Sequence, residues 1–283
     1  MRHSQLKAFH DVASHGGFSR AAEMVRQAQP ALSEHVRRLE QDYDVLLFHR
    51  DRKQVRLTET GEALFVLTKR LFEVEAQIGD FLSESRAALE GTLRIIVDSA
   101  HHVTDTLRRF QARHPGVFVS LRTGNSEEIL DALRTYDAEI GIVGSVDPGR
   151  EFEVFDLGST PIIAIAARDF QIGGGRAMTL REIAKLPMVF REPGSKTRQK
   201  LEEEAARQRI TLRPAIEVEG REAMREVVAS GAGIGFLSEA EFGRDARLVK
   251  VPLTGADMAM NETLVYLAQR RDLRLIRAFM ELA

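Results

Sequence analysis

Residues 28–40, AQPALSEHVRRLE, carry the clearest structural pattern in the chain. Proline is favoured in the first turn of a helix, where its missing N–H would have no partner, so a helix is predicted to begin at Gln29-Pro30. Leu32, Val36 and Leu39 follow at spacings of four and three residues, which is typical of the buried stripe of an amphipathic helix. The polar and basic residues between them are therefore predicted to face outward.

The outward face of this helix carries side chains suited to reading DNA. A recognition helix enters the major groove with its N-terminal end, where Gln29 can pair with adenine. Arg37 or Arg38 can reach guanine or a phosphate. The other polar candidates on this face are Ser33, Glu34 and His35. From these residues alone, a three-helix bundle with a solvated charged face remains the alternative.

Two helices are predicted before this one and a hairpin after it. Leu6, Phe9 and Val12 have helical spacing over residues 4–15, with Ser4 as the predicted cap, and Ser19 is the predicted N-cap of a short second helix. The apolar segments 45–48 and 55–58 flank a basic turn, which is typical of a β-hairpin, or wing. Its basic residues are predicted to contact DNA phosphates; they are Arg50, Arg52, Lys53 and Arg56.

A long helix is predicted from the cap residue Thr58 to about Ala88. Its apolar seam continues over more than 40 Å, at about 1.5 Å per residue, which is too long for a small domain to cover. A partner copy is therefore expected to bury the seam. Residues 1–57 also hold ten Lys or Arg against seven acids, although the whole chain has a net charge of −2. This asymmetry indicates a nucleic-acid-binding end.

From Gly91 onward, strand and helix patterns alternate. Predicted strands occupy 93–97, 117–122, 139–143, 161–167, 188–190, 215–218, 234–237 and 262–268, and an amphipathic helix is predicted over 272–282. This alternation indicates an α/β fold with a parallel sheet and helices on both faces. We therefore expect three parts, at residues 1–58, 59–90 and 91–283.

Three loops after these strands are candidates for a ligand site. In open α/β sheets, ligands bind beyond the carboxyl ends of the strands, where helix N-termini offer free N–H groups. The candidate side chains for a small anionic effector are Asp98, Ser99, His101, Asn125, Ser126, Arg191, Ser195, Thr197 and Arg198. The alternative is that Asn125, Ser195 and Thr197 only cap helices.

Several functions are excluded by what the sequence lacks. It has no cysteine, no nucleophile elbow and no carboxylate pair in a catalytic motif, so we expect neither an enzyme nor a cofactor. Adjacent histidines at 101 and 102 rarely share an ion, so no metal site is predicted. No apolar run has membrane-spanning or signal-peptide length, and a cytoplasmic protein without a membrane partner is expected.

Four sequence blocks together resemble the LysR-type transcriptional regulators. They are FSRAA (18–22), AQPALSEHVRRLE (28–40), LLFHR (46–50) and VRLTETG (55–61), and they follow the family's order and spacing. One departure is Tyr43-Asp44, where many relatives have Leu-Gly. Glycine would supply a left-handed helix end there, and Asp tolerates that conformation better than most residues.

The resemblance implies an N-terminal winged helix-turn-helix, a dimerising linker helix and an effector domain like a type 2 periplasmic binding protein. It implies subdomain I at residues 91–161 and 266–283, subdomain II at 162–265, and association into a dimer and further into a tetramer on promoter DNA. On that pattern the residues of the DNA-facing helix are Gln29, Pro30, Ser33, His35 and Arg37. Ser19 and Arg20, in the FSRAA block, are further DNA-binding candidates. An exported solute-binding protein would share the effector fold but would lack the helix-turn-helix.

Four further blocks are similar to the LysR subgroup associated with aminoethylphosphonate catabolism. They are MRHSQLKAFHDVA (1–13), EQDYDVLLFHR (40–50), FLSESRAALEGTLRI (81–95) and FLSEAEFG (236–243). This similarity implies 2-aminoethylphosphonate as the effector, with Asp98 receiving its ammonium group. A carboxylate or amino-acid effector would use the same donors and stays open.

Overall fold

The chain forms two compact units, residues 1–87 and 88–283. The structure, a computed structural model, describes residues 1–49, 55–82, 89–144, 147–170 and 177–283. The predicted wing residues Arg50, Arg52 and Lys53 lie outside the described residues. Within the described part, no helix is long and apolar enough to cross a bilayer.

The described part of the first unit contains four helices: α1 (His3–His15), α2 (Phe18–Met24), α3 (Gln29–Tyr43) and α4 (Glu59–Leu82). Helix α3 begins at Gln29 as predicted, and Leu32, Val36 and Leu39 are buried in the shared core. Phe9 lies at the centre of this core, fully buried against the rings of Phe48 and Phe65.

The predicted caps of the first two helices, Ser4 and Ser19, were wrong. Helix α1 begins one residue before Ser4, and the Gln5 side chain accepts the backbone N–H of Arg2 at 2.6 Å. Helix α2 begins at Phe18, immediately after Gly17, so Ser19 lies inside the first turn. Gly17 occupies the N-cap position of α2, which therefore has no side-chain cap.

The end of α3 confirms the expected left-handed turn without glycine. Asp44 has φ 52° and ψ 46°, and its N–H donates to the carbonyl of Gln41. The following segment is tied to α3, because the Glu40 carboxylate accepts the N–H of Leu47 at 2.8 Å. The departure from the Leu-Gly pattern therefore leaves the turn intact.

The described part of the hairpin leads directly into α4. The N–H of His49 donates to the Arg56 carbonyl at 2.8 Å, and Thr58 N donates to the Leu47 carbonyl at 3.0 Å. The Thr58 hydroxyl accepts the N–H of Gly61 at 3.0 Å, which confirms it as the helix cap. A Cβ at Gly61 would lie 2.1 Å from the Leu47 carbonyl oxygen, so the close approach requires glycine.

Helix α4 presents an uncovered apolar seam. Leu67, Leu71, Val74 and Ile78 are between 42% and 57% exposed and are spaced by four, three and four residues. This is the heptad spacing of a helix that packs against a second helix. A second copy of the chain is the expected partner.

Replacing Leu71 and Ile78 with Glu is expected to weaken dimerisation at least tenfold, because burying one such side chain contributes about 1.5–3 kcal/mol. Sedimentation equilibrium across protein concentrations measures the change. Ala76→Glu is the matched control, since Ala76 is exposed on the same helix but outside the seam. An unchanged dimerisation constant in the double variant would contradict the pairing.

His10 lies in an aromatic site between α1 and α4. Its ring centroid is 4.8 Å from that of Phe72 and 5.5 Å from that of Phe65, and Nδ1 lies 3.1 Å from the Thr68 hydroxyl. Burial, with a smaller contribution from the Lys7 charge, lowers the pKa of His10 to about 4. The fold therefore favours the neutral ring.

This shift predicts a pH dependence of the first unit. The stabilisation from the neutral ring is complete above pH 6.5, and it is lost as the pH falls from 6.5 toward 4. In an NMR titration of the full chain, the His10 ring resonances are expected to titrate with a midpoint near pH 4. A midpoint at the ordinary value would show that the ring is open to water.

The second unit has two lobes. Lobe I contains β1 (Gly91–Val97), α5 (Thr104–Arg113), β2 (Val117–Thr123), α6 (Ser126–Arg134), β3 (Ile140–Gly144) and α10 (Arg274–Met280). Lobe II contains β5 (Met178–Thr179), α7 (Leu180–Ile183), β6 (Val189–Arg191), α8 (Lys196–Arg207), β7 (Ile216–Val218), α9 (Arg221–Ala229), β8 (Gly235–Ser238), β9 (Leu248–Val251) and β10 (Leu253–Thr254). Strands β4 (Phe152–Ala167) and β11 (Ala259–Leu267) join the lobes, and each lobe has its own apolar core.

The sheet differs from the fully parallel arrangement predicted from the sequence. Its order is β2-β1-β3-β11-β4-β8, and β11 is antiparallel to both β3 and β4. The first half of β4 pairs with β11, and residues 162–167 pair with β8 and β9.

The sequence predicted that the chain crosses between the lobes at residues 161/162 and 265/266. The structure has the second crossing at a different place. Residues 262–265 pair with β3, so the chain has already returned to lobe I there. The return crossing instead lies near Met258 and Met260, whose side chains pack in the lobe II core.

Candidate functional site

The candidate DNA-binding surface is the outward face of α2 and α3. Ser19, Arg20, Gln29, Pro30, Arg37 and Arg38 are exposed there, and Ser33 and His35 are half-buried. Helix α3 presents these side chains because its opposite stripe is fixed in the core. The predicted DNA-binding residues of α2 and α3 therefore all lie in the described structure, at exposed or half-buried positions.

One carboxylate organises the basic part of this surface. Glu34 accepts hydrogen bonds from Arg37 Nε at 2.8 Å and from Arg38 Nε at 2.6 Å. The hydrogen bonds from Arg37 and Arg38 lower the pKa of Glu34 to about 2. The two guanidinium groups are therefore held on one side of the helix by an ionised partner.

The candidate effector site is a cavity of about 780 Å³ between the two lobes of the second unit. Its walls are the loops that follow β1, β2 and β6, together with the N-terminal turn of α9. The predicted residues that line it are Asp98, Ser99, His101, Asn125 and Arg191.

The other four predicted effector residues do not line this cavity. Ser126, Ser195 and Arg198 line a neighbouring cavity of about 440 Å³ between α6 and α8, and Thr197 is buried in α8. The Ser195 hydroxyl caps α8. Arg198 is engaged locally, since it donates to the Arg191 carbonyl at 2.8 Å and to Glu217 at 2.6 Å. The sequence analysis predicted one site for all nine residues. In the structure, five line the larger cavity, three line the neighbouring one and Thr197 is buried.

Helix α9 contributes residues that are absent from the predicted effector site. Arg221 donates to the Asp98 carbonyl at 2.7 Å and pairs with Glu241 Oε1 at 2.6 Å. Arg225, four residues on, donates to the carbonyls of Glu241 and Phe242. The i, i+4 spacing after Gly220 is the signal that both arginines share a helix face.

Contacts across the cavity connect the lobes. Arg221 belongs to lobe II and Asp98 to lobe I, so their hydrogen bond closes one end. A Cβ at Gly194 would lie 3.3 Å from the Asn125 side chain, which shows how closely these two loops approach. Gly194 also has φ 89°, a conformation that favours glycine.

The cavity wall carries more acids than bases. Its described acidic residues are Asp98, Glu128, Glu192, Glu219, Glu222 and Glu241, and its arginines are Arg191, Arg221 and Arg225. Arg191 is bound to Glu192, with Nη2 2.7 Å from Oε1. Burial by itself raises the pKa of Glu192. The Arg191 guanidinium and nearby N–H groups outweigh burial and hold this pKa below its usual value.

A set of buried ionisable groups lies in and behind this wall. Burial, and then the nearby charges of Asp98 and Glu241, raise the pKa of Glu262 to about 8. Burial also raises the pKa of Glu241 to about 7, raises that of Asp98, and lowers that of His102 to about 4. Burial thus disfavours the charged form of each group.

Both units match families of known regulators. Residues 3–62 match the bacterial regulatory helix-turn-helix protein, lysR family, and residues 86–283 match the LysR substrate binding domain. The chain is 32% identical over 277 residues to the RuBisCO operon transcriptional regulator of Allochromatium vinosum, covering 96% of this chain and 90% of that protein.

Solved structures share the fold. Full-length OxyR from Pseudomonas aeruginosa has a TM-score of 0.78 at 19% identity, covering 99% of this chain and 94% of that one. The regulatory domain of Synechocystis CcmR in complex with 2-PG has a TM-score of 0.61 at 22% identity, covering 68% of this chain and 95% of that one. The chain belongs to the LysR family of bacterial transcriptional regulators.

Proposed function

We propose that this regulator binds promoter DNA through α2, α3 and the wing, and that a small effector in the cavity between the lobes changes this binding. The observation that carries the proposal is the cavity itself, because its walls come from two lobes joined by two strands. The chain is a regulator and not an enzyme, as its family is.

The DNA contacts divide into base contacts and phosphate contacts. Gln29 and Ser33 lie near the N-terminal end of α3, which is the end that enters the major groove in helix-turn-helix proteins. Ser19 and Arg20 lie at the start of α2, and we assign them to contacts with the DNA backbone. Arg37 and Arg38 supply positive charge that Glu34 orients.

Replacing Gln29 with Ala is expected to reduce affinity for the target promoter about fivefold to hundredfold, because one base contact contributes about 1–3 kcal/mol. Fluorescence anisotropy with promoter and scrambled duplexes measures both affinity and discrimination, which should fall together. Arg108→Ala is the control, since it removes an exposed arginine from the second unit. Equal affinity of wild type and Gln29→Ala for the promoter would refute the assignment.

The wall chemistry favours an effector with both a negative and a positive group. Arg191 and Arg221 can donate to an anion. The loops that follow β1 and β2, which include Ser99 and Gly124, also line the cavity and carry backbone N–H groups. The excess of acids on the same wall opposes a ligand that is only negative. 2-Aminoethylphosphonate carries both charges, as do amino acids, which are the alternative class.

Coupling to DNA requires the effector to bind one arrangement of the lobes more tightly than another. Arg221 and Asp98 already meet across the cavity, so a ligand that engages Arg221 changes a contact between the lobes. The altered lobe positions then change how two copies of the chain present their DNA-binding units.

Calorimetric titration of the full chain with 2-aminoethylphosphonate is expected to give saturable binding. Arg191→Ala should weaken it roughly tenfold to hundredfold, because a hydrogen bond to a charged group contributes about 1.5–3 kcal/mol. Arg198→Ala is the matched control, because Arg198 lies outside the cavity lining.

The comparison ligands are 2-PG, inorganic phosphate and simple amino acids. If only an amino acid binds, the cavity remains the effector site, and the effector is an amino acid and not a phosphonate. If Arg198→Ala loses more affinity for the ligand than Arg191→Ala, the effector site is the neighbouring cavity.

A further inference from the structure

Four side chains in and behind the cavity wall leave five buried polar atoms without a hydrogen-bond partner in the described structure. They are Asp98 Oδ1, His102 Nε2, Glu241 Oε2 and both carboxylate oxygens of Glu262. One ligand-type atom from each residue lies within 4.8 Å of all the others. We call Asp98, His102, Glu241 and Glu262 the acid–imidazole cluster.

Glu262 is the most enclosed member of the cluster. It is 2% exposed, and its Oε1 lies 3.6 Å from His102 Nε2, a distance too long for a hydrogen bond. The strand is irregular at this point, because the register of β11 against β4 shifts between Glu262 and Thr263. Such bulges re-aim side chains and are frequent next to functional sites.

The cluster draws on both lobes and on the connection between them. Asp98 follows β1 and His102 ends the 3-10 turn Ala100–His102 of lobe I, whereas Glu241 ends the 3-10 turn that follows β8 of lobe II. Glu262 lies on the crossing strand β11. Asp98 and Glu241 also line the effector cavity, so the cluster is open to it on one side.

The local positive charge is too small for this set of acids. Arg221 bonds Glu241 through one oxygen and Asp98 only through its backbone carbonyl. Arg221 can therefore balance one carboxylate charge, and Arg191 also acts on Asp98 and Glu241. Burial favours the neutral acids, so a divalent cation would be needed to hold all three carboxylates ionised. Buried carboxylates are found paired, hydrogen-bonded or bound to a metal, because burying an isolated charge is very costly.

We propose that the acid–imidazole cluster binds a divalent transition-metal ion. Three carboxylates and one imidazole form a mixed oxygen and nitrogen set, which suits Mn²⁺, Fe²⁺ or Zn²⁺. Ca²⁺ and Mg²⁺ prefer oxygen ligands throughout and would leave the imidazole unused. The ion would tie lobe I, lobe II and β11 together at the base of the cavity.

The test uses the full chain after treatment with a chelator, which is then removed. Calorimetry and elemental analysis with Mn²⁺, Zn²⁺ or Co²⁺ are expected to give one ion per chain. Glu262→Gln and His102→Asn should each weaken binding of the same ion at least tenfold. Glu219→Gln, which removes an exposed carboxylate from the same cavity wall, should leave it unchanged.

Two results would overturn the proposal: no stoichiometric binding by the wild-type chain, or equal binding by the cluster variants and wild type. Circular dichroism checks that the variants fold. If they do not, Co²⁺ is added to the wild-type chain, and a hyperfine-shifted, exchangeable ring proton from one histidine is expected by NMR. Absence of that signal would equally overturn the site. These readouts need neither DNA nor effector, so they stand apart from the proposed function.

Discussion

The antiparallel pair of β4 and β11 is the constraint on which the second unit depends. Strand β4 is 16 residues long and changes partners along its length, from β11 to β8 and β9. Two lobes joined by paired strands can change their relative angle only with small backbone adjustments at the crossing. The cavity, the contact of Arg221 with Asp98 and the acid–imidazole cluster all lie beside this crossing, so any change of angle alters them together.

The sequence predicted local features well and distant ones poorly. Helix α3, its stripe and the left-handed Asp44 follow from residues close in the chain, and these predictions were correct. The caps at Ser4 and Ser19 failed because each helix begins before the predicted cap residue, at His3 and at Phe18. The antiparallel β11 was missed because alternating strand and helix patterns do not encode strand direction.

The candidate site shows the same limit more strongly. Asp98, Ser99 and His101 follow one strand, so their shared location could be predicted from the edge rule for α/β sheets. Arg198 carries the right charge in the right loop, but its hydrogen bonds to Glu217 and the Arg191 carbonyl direct it elsewhere. The cluster was unpredictable, because Asp98 and Glu262 are brought together only by the crossing strand.

The arrangement of charge also bears on how the regulator can respond to a ligand. The cavity wall carries an excess of acids, and behind it lie carboxylates whose charged forms burial disfavours. Such a site is poorly balanced when it holds no cation, and its electrostatic free energy depends on how closely Asp98 and Glu241 approach. These two residues belong to different lobes. A cation between Asp98 and Glu241 can be a metal ion or the ammonium group of an effector. It lowers the electrostatic free energy of a closed arrangement of the lobes more than that of an open one. A ligand needs such a difference in order to shift the equilibrium between the two arrangements.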